Sequence, residues 1–192
     1  MKHLILVILI AAFCTGAAAQ EKQPAIDASS VYNQDAVKVV SPNQAGWVLL
    51  QSGNSETVFE KRSKDEILNA SVKTVKTKTF DNERDLLKSL EAMKDEELQS
   101  KYKKDSLHFN YVRFKQTPCI QYDGIFNFKE AATPKFEYFN FKGYLCRHPE
   151  NKDSVVQMEF SNYSNSRGLS EDLHNLSSEF FEKTAFSKVT VK

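Results

Sequence analysis

The residue types most capable of chemistry lie together in the stretch GYLCRHPE, residues 143–150, which places Cys146, Arg147 and His148 side by side. A cysteine thiolate beside a base acts as a nucleophile, and cysteine and histidine together ligate zinc. Paired cysteines in an oxidising compartment form a disulfide. The choice among these three depends on the elements that hold the stretch and on the positions of the other cysteines.

The strands around this stretch predict a disulfide. Residues 119–128 and 135–146 have strand composition, and the short link at residues 131–134 fits a hairpin loop. That loop fixes a register in which Cys119 is opposed to Cys146. Opposed Cα atoms in an antiparallel pair lie about 4.5–5.5 Å apart, which is within the range of a disulfide.

The same register explains the residues between the two cysteines. It opposes Tyr122 to Gly143 and Gly124 to Phe141, so an aromatic side chain lies across from a glycine twice. It also opposes Asp123 to Lys142, a pair of opposite charge. Cross-strand pairs of these kinds stabilise a sheet, which supports the register independently of the cysteines.

Catalytic and metal-binding interpretations of the stretch are weaker. Cys119 competes for the sulfur of Cys146, and Pro149 ends the strand directly after His148, so we expect no catalytic cysteine. The chain has no HxH, HExxH or CxxC spacing for a metal and no GxSxG, GxGxxG or P-loop motif. We therefore assign no catalytic residue, no metal and no cofactor from the sequence.

The aromatic stretch KFEYFNF, residues 135–141, allows two interpretations. It is either part of the core, because buried strands often show continuous apolar character, or a platform for an apolar ligand. We favour the core. If the chain has a binding surface here, the sequence predicts that it includes Phe136, Tyr138, Arg147 and His148.

The N-terminus has the three parts of a secretory signal peptide. Lys2 supplies a positive charge, residues 4–13 form an apolar run, and three alanines at residues 17–19 favour cleavage before Gln20. About 20 apolar residues are needed to span a bilayer, so we expect no stable membrane span in the mature chain.

We therefore predict that residues 1–19 are a signal peptide and that the protein is exported, either to a periplasm or into the medium. Cys14 follows Phe13, whereas a lipoprotein motif has a small residue at that position, so we do not expect lipidation. Cys119 and Cys146 are then the only cysteines of the mature chain.

The charge balance of the mature chain argues against nucleic-acid binding. Removal of residues 1–19 takes away Lys2, so the 26 Lys and Arg become 25, equal to the 25 Asp and Glu. Nucleic-acid binders carry a clear positive excess, which this chain lacks. Residues 36–192 have the length of one domain, and the polar residues 20–35 before them are expected to be a flexible leader.

The order of predicted elements indicates an α+β fold. Strands are expected at residues 46–50, 57–62, 69–80, 107–114, 119–128, 135–146 and 153–163, with one helix capped by Asp81 or Asn82 and another that begins near Ser170. This order favours a mainly antiparallel sheet of six to seven strands, with two principal helices packed against it.

Two segments depart from a regular pattern. Val72 and Val75 are out of phase with strict alternation, which suggests a bulge in the third strand. The charged run KDEELQSKYKKD, residues 94–105, mixes both signs of charge and is expected to be a solvated helix end.

This layout resembles the secreted α/β sandwiches of the PsbP and Mog1 type. The shared features are the GWVLL strand at residues 46–50, the TVFEKR strand at residues 57–62, a mid-chain helix, a meander of strands and a last helix containing Phe180 and Phe181. The similarity covers most of residues 36–190. It implies a compact accessory or interaction domain, usually without catalysis, and it carries over no functional residue.

We therefore expect an exported, non-enzymatic protein that binds an unknown protein partner or ligand. One alternative is a small envelope hydrolase whose site residues are dispersed along the chain. Another is a carrier that holds a small apolar ligand on the aromatic strand at residues 135–146.

Overall fold

The computed structural model describes residues 25–99, 102–128 and 135–186. The expected signal peptide, Cys14 and the hairpin loop at residues 131–134 lie outside these ranges. The strands are β1 Val31–Gln34, β2 Val37–Val40, β3 Val48–Ser52, β4 Glu56–Arg62, β5 Glu66–Lys76, β6 Tyr102–Phe114, β7 Thr117–Phe128, β8 Tyr138–Arg147, β9 Ser154–Ser164 and β10 Ala185–Phe186. The helices are α1 Glu83–Gln99 and α2 Glu171–Lys183.

These strands form two antiparallel sheets. The larger sheet has seven strands in the order β3-β4-β5-β9-β8-β7-β6, and the smaller has three in the order β1-β2-β10. Helix α1 contacts β6 and β7 on one face of the large sheet, whereas α2 and the small sheet cover the opposite face. The predicted α+β class, with a mainly antiparallel sheet and two principal helices, is confirmed.

Helix α2 is positioned by its cap and its apolar stripe. The Ser170 hydroxyl oxygen accepts a hydrogen bond from the backbone N–H of Leu173 at 3.4 Å, and two acidic residues in the first turn favour the positive end of the helix dipole. Leu176, Phe180 and Phe181 are buried against the sheet. Their spacing of four and five residues puts them on one side of the helix.

Helix α1, on the other face of the sheet, is also positioned by an N-terminal cap and by buried leucines. The Asn82 side-chain oxygen accepts from the backbone N–H of Asp85 at 2.9 Å and so caps the helix. Leu86, Leu90 and Leu98 are buried in a core that includes many of the aromatic residues of the sheet. The sheet thus has an apolar core on both faces.

The prediction of a flexible leader at residues 20–35 is wrong for residues 31–34. Residues 31–34 form β1, which pairs with β2, and Ile26 packs against the α2-side core. The intervening turn has no glycine to mark it. Asp35 adopts a positive φ of 48°, a conformation that aspartate occupies more readily than most other non-glycine residues.

The expected bulge in the third strand is also wrong. Strand β5 pairs with β9 in an unbroken register from Glu66 to Lys76. Val72 lies in the α2-side core and Val75 packs against the α1-side core, so both positions are apolar because both faces are covered. Register shifts occur instead in β3 and in β6.

The predicted hairpin register is confirmed over its whole described length. β7 and β8 oppose Tyr122 to Gly143, Gly124 to Phe141 and Asp123 to Lys142. The pairing ends at Cys119, which is opposed to Cys146. The two strands supply much of the α1-side core, and to the buried residues of the α2-side core each contributes one cysteine.

Candidate binding groove beside the disulfide

An open groove of about 390 Å³ lies at the end of the large sheet where β7 begins and β8 ends. Its walls come from the residues just before Cys119 and just after Cys146. The lining residues are Gln116, Thr117, Pro118, Arg147, His148, Pro149, Glu150 and Lys152.

Pro118 explains why the groove opens at this point. The β7–β8 register would continue from the cysteine pair to Pro118 opposite Arg147, but the described pairing stops at the cysteines. Proline has no N–H to donate to the neighbouring strand, so the ladder ends and the two strands can separate.

The disulfide holds the two walls together directly behind the groove. Cys119 and Cys146 are bonded, their Cα atoms are 4.1 Å apart, and both residues are fully buried. The bond links the chain neighbours of Pro118 and Arg147. The groove therefore has a rigid base, although its two strands no longer pair there.

Two cationic residues that line the groove have no partner among the described residues. Arg147 is half-buried and Lys152 is exposed, and neither makes an ion pair or a side-chain hydrogen bond within the described ranges. Glu150 is the one carboxylate among the lining residues. A planar guanidinium on a half-buried wall favours a carboxylate or a phosphate, because either group accepts two parallel N–H bonds.

His148 forms one wall of the groove, and both of its ring nitrogens make hydrogen bonds. Its Nδ1 accepts hydrogen bonds from the backbone N–H groups of Glu150 at 3.2 Å and Asn151 at 3.0 Å. Its Nε2 therefore carries the proton and donates to Asp35 Oδ2 at 2.9 Å. The imidazole ties the small sheet to the end of β8. In this arrangement neither nitrogen is available to act as a base.

Lys115 anchors the opposite wall. It precedes Gln116 in the tight turn between β6 and β7, and its ammonium donates to the backbone carbonyl oxygens of Glu182, at 2.6 Å, and Thr184. Burial lowers the pKa of Lys115, and the nearby Glu182 carboxylate opposes that shift. The turn that carries Gln116 is thereby tied to the C-terminal end of α2.

The structure separates the four residues that the sequence assigned to one binding surface. Arg147 and His148 line the groove, whereas Phe136 and Tyr138 lie at the other end of β8. Tyr138 and Arg147 are the two ends of the ten-residue strand β8, nine steps apart, which is about 30 Å at 3.3 Å per residue. Phe136 is also buried, so it offers no surface.

The aromatic side chains of β8 form core contacts. Phe139 and Phe141 are 5% and 1% exposed, and their rings stack at 5.1 Å between centroids. Phe141 also contacts Tyr122 and Phe126. These contacts favour the interpretation of residues 135–141 as core over that of a ligand platform.

A second polar cluster lies on the α2 side of β6, β7 and β8. His108 lies 3.2 Å from Asp123, and the Lys142 ammonium donates to the Ser178 hydroxyl at 3.3 Å. Burial lowers the pKa of Lys142, against the opposing effect of Asp123. The cluster therefore contains a serine, a histidine and an aspartate, the residue types that many hydrolases use.

The geometry of Ser178 does not suit a nucleophile. Its hydroxyl donates to the carbonyl oxygen of His174 at 2.8 Å, so its proton is already engaged. Ser178 also lies in the middle of α2, where backbone N–H groups are bonded within the helix and do not form an oxyanion hole.

Sequence analysis missed a buried charge cluster under α1. Lys94 is 2% exposed, and its ammonium donates to Glu159 at 2.7 Å and to Glu97 at 3.1 Å. Tyr122 and Gln157 also donate to Glu159, at 2.8 and 3.2 Å. Lys94 stands in the run that the sequence assigned to a solvated helix end. Only the packing of α1 on the sheet reveals its role.

The pKa shifts of Lys94 and Glu159 favour the charged form of both side chains. Burial opposes the ionisation of Lys94, but the Glu159 and Glu97 carboxylates outweigh it and raise the pKa of Lys94. Burial opposes the ionisation of Glu159 as well, yet Lys94 and the hydrogen-bond donors lower the pKa of Glu159. Burial and the neighbouring Glu159 raise the pKa of Tyr122 well above its ordinary value.

The chain has structural but no sequence-level similarity to known proteins. No family model and no curated protein matches the chain. The structure is similar to the solution structure of cyanobacterial PsbP (CyanoP) from Synechocystis sp. PCC 6803. The TM-score is 0.49 and the sequence identity 12%, over 91% of this chain and 98% of that chain. The resemblance to PsbP expected from the sequence is thus present as a loose similarity of fold.

Across residues 25–99, 102–128 and 135–186, no helix is both long and apolar enough to cross a membrane. Over the same ranges, no group of three His, Cys, Asp or Glu side chains is placed to hold a metal ion.

Proposed function

We propose that this protein is an exported, non-enzymatic binding protein that holds a partner in the groove beside the Cys119–Cys146 disulfide. The observation that carries the proposal is Arg147, a half-buried residue that lines the groove without an ion-pair partner in the described part of the chain. The partner presents an anionic group, a carboxylate or a phosphate, to Arg147 and Lys152.

The disulfide supports both halves of this proposal. Disulfides persist in oxidising compartments, which agrees with the signal peptide expected at residues 1–19 and with a periplasmic or secreted location. The bond also fixes the relative positions of Pro118 and Arg147. A preorganised groove loses less conformational entropy when a partner binds.

The two alternatives have less support. A carrier of an apolar ligand needs accessible aromatic side chains, but Phe139 and Phe141 are buried. A hydrolase needs a free base and an activated nucleophile, whereas both nitrogens of His148 are engaged and the Ser178 proton is held by a backbone carbonyl.

Site-specific photo-crosslinking in the producing cells tests the proposal. A photo-reactive amino acid placed at Gln116, an exposed residue of the groove, is expected to give a discrete crosslinked adduct in the exported fraction. The matched control carries the same amino acid at Lys64, which is exposed between β4 and β5, at the other side of the sheet from β7.

The comparison of the two positions decides the outcome. An adduct at Gln116 that is absent at Lys64 supports a partner in the groove. Equal labelling at both positions, or no adduct at Gln116, is incompatible with the proposal. The intact mass of the same exported protein shows whether cleavage occurs before Gln20.

A further inference from the structure

Strand β6 lies at the edge of the large sheet and is long. It spans Tyr102–Phe114, and no other described strand pairs with its outer side. The strand at the opposite edge of the sheet, β3, is only 5 residues long and carries a register shift. Edge strands present unpaired N–H and C=O groups, and proteins usually protect long ones.

The turn after β6 establishes which backbone groups face outward. Lys115 and Gln116 form a two-residue turn with φ values of 48° and 68°, as in a type I′ hairpin. The flanking residues Phe114 and Thr117 are therefore a hydrogen-bonded pair, and alternation continues from there. The N–H and C=O groups of residues 107, 109, 111 and 113 consequently point away from β7.

This outer edge is protected at one end only. A register shift between Lys104 and Ser106, together with neighbouring charges, interrupts the N-terminal part of β6. From Leu107 to Phe114 the pairing with β7 is regular, and the segment LHFNYVRF contains no proline. Tyr111 is 52% exposed and is among the few exposed large apolar residues in the part of the chain that the structure describes.

We propose that this edge pairs antiparallel with β6 of a second copy of the chain, about a twofold axis at Asn110. In that register Phe109 of each copy is opposed to Tyr111 of the other, and Leu107 is opposed to Arg113. Aromatic cross-strand pairs stabilise such a ladder, and no like charges are opposed between residues 107 and 113. The two seven-stranded sheets then form one continuous sheet.

The charged and polar side chains at the edge fit a second copy. The Arg113 guanidinium already pairs with Glu83 of α1 at 3.0 Å, and the Tyr111 hydroxyl donates to Glu91 at 2.8 Å. Pairing therefore brings no uncompensated charge to the edge. The self-complementary order of aromatic residues around Asn110 favours a second copy over an unrelated strand.

Sedimentation velocity of the mature protein between about 10 μM and 1 mM, the range of weak association, tests this inference. Wild-type protein is expected to show a concentration-dependent dimer. Tyr111→Pro removes one outward N–H without removing a bond to β7 and should weaken the dimer about tenfold or more. Tyr111→Phe keeps that N–H and serves as the matched control, which should still dimerise.

Hydrogen exchange on the wild-type protein gives a second readout that does not depend on the folding of a variant. The amides of residues 109 and 111 should become protected as the concentration rises, whereas those of residues 108 and 110 should be protected at all concentrations. A chain that stays monomeric to 1 mM with free exchange at residues 109 and 111 overturns the inference, even if another protein binds this edge. A dimer that Tyr111→Pro does not weaken overturns it as well.

Discussion

Tyr122 in β7 forms a hydrogen bond with Glu159 in β9, across the intervening strand β8. Gly143 in β8 leaves the space that the Tyr122 side chain occupies. The Tyr122 hydroxyl donates to Glu159 Oε2 at 2.8 Å. Gly143 in β8 is opposed to Tyr122 on one side and to Glu159 on the other. A Cβ atom at Gly143 would lie 2.6 Å from the Tyr122 hydroxyl oxygen and 2.3 Å from the carbonyl oxygen of Met158. Glycine is required here by close approach.

The first prediction is that Gly143→Ala destabilises the protein. The added methyl group overlaps backbone as well as side-chain atoms, so the free energy of unfolding should fall by about 3 kcal/mol. Urea denaturation measures this loss. Gly53→Ala is the control, since nothing lies within 4 Å of the added Cβ, and it should change stability by less than about 0.5 kcal/mol. Equal stability of the two variants would show that β8 can shift away from Tyr122.

The second prediction concerns the Lys94–Glu159 pair. Lys94→Met leaves the Glu159 carboxylate buried without its cation. The free energy of unfolding should fall by about 3 kcal/mol, because a buried charge without a counter-charge is strongly destabilising. Lys73→Met is the control, because Lys73 pairs with Glu56 on the surface with 44% of its side chain exposed. That variant should lose less than about 1 kcal/mol.

A double-mutant cycle separates pairing from simple loss of packing. Lys94→Met combined with Glu159→Gln should cost clearly less than the sum of the two single losses, because the second change removes the charge that the first leaves unpaired. Additive losses would mean that the two residues stabilise the fold independently of each other.

The third prediction is a stability maximum around neutral pH. The pKa of Glu159 is lowered in the folded state, so its contribution is complete above the ordinary value of about 4.3 and is lost as the pH falls through the lowered one. The pKa of Lys94 is raised, so its contribution is complete below about 10.4 and is lost as the pH rises through the raised one.

Unfolding titrations from about pH 3 to 11 on wild type and Glu159→Gln test this dependence. The difference between their unfolding free energies should be constant near neutral pH. It should shrink as the pH falls below about 4.3, where Glu159 of the unfolded chain becomes protonated, and should vanish below the lowered pKa of folded Glu159. A difference that persists undiminished in acid would contradict the assignment of a charged Glu159.

The fourth prediction concerns the disulfide. Replacing both Cys119 and Cys146 by alanine removes a crosslink between residues 27 apart in sequence and should lower the unfolding free energy by about 3–4 kcal/mol. The far-ultraviolet circular dichroism should stay the same, because each face of the sheet keeps its own core. Peptide mapping of the oxidised protein without reductant shows the linked peptide directly. Two freely alkylated cysteines there would exclude the bond.

Local patterns were sufficient to predict the β7–β8 pairing. A short loop between two alternating strands determines the register, and that register brings Cys119 to Cys146 from sequence information alone. The sequence also placed Arg147 and His148 in a candidate binding surface, because an arginine and a histidine directly follow the cysteine, and both residues line the groove. It also included Phe136 and Tyr138, which a strand of ten residues carries to the opposite end of the sheet.

The partners of these residues could not be predicted because they come from distant parts of the chain. Lys94 looks solvated among its charged neighbours, and its partner Glu159 is 65 residues away. His148 is fixed by Asp35, which is 113 residues away and stands in a segment that the sequence assigned to a flexible leader. Only the packing of α1 and of the small sheet brings these pairs together.

The most direct test of the central claim measures the yield of the Gln116 crosslink when Arg147 is changed to Gln. If Arg147 holds an anionic partner in the groove, Arg147→Gln should reduce the adduct about tenfold or more, because the partner loses a charge-assisted bidentate bond. Arg84→Gln makes the same chemical change at an exposed arginine of α1 outside the groove and should leave the yield unchanged. An adduct that forms equally well with Arg147→Gln would contradict the claim that this groove is the binding site.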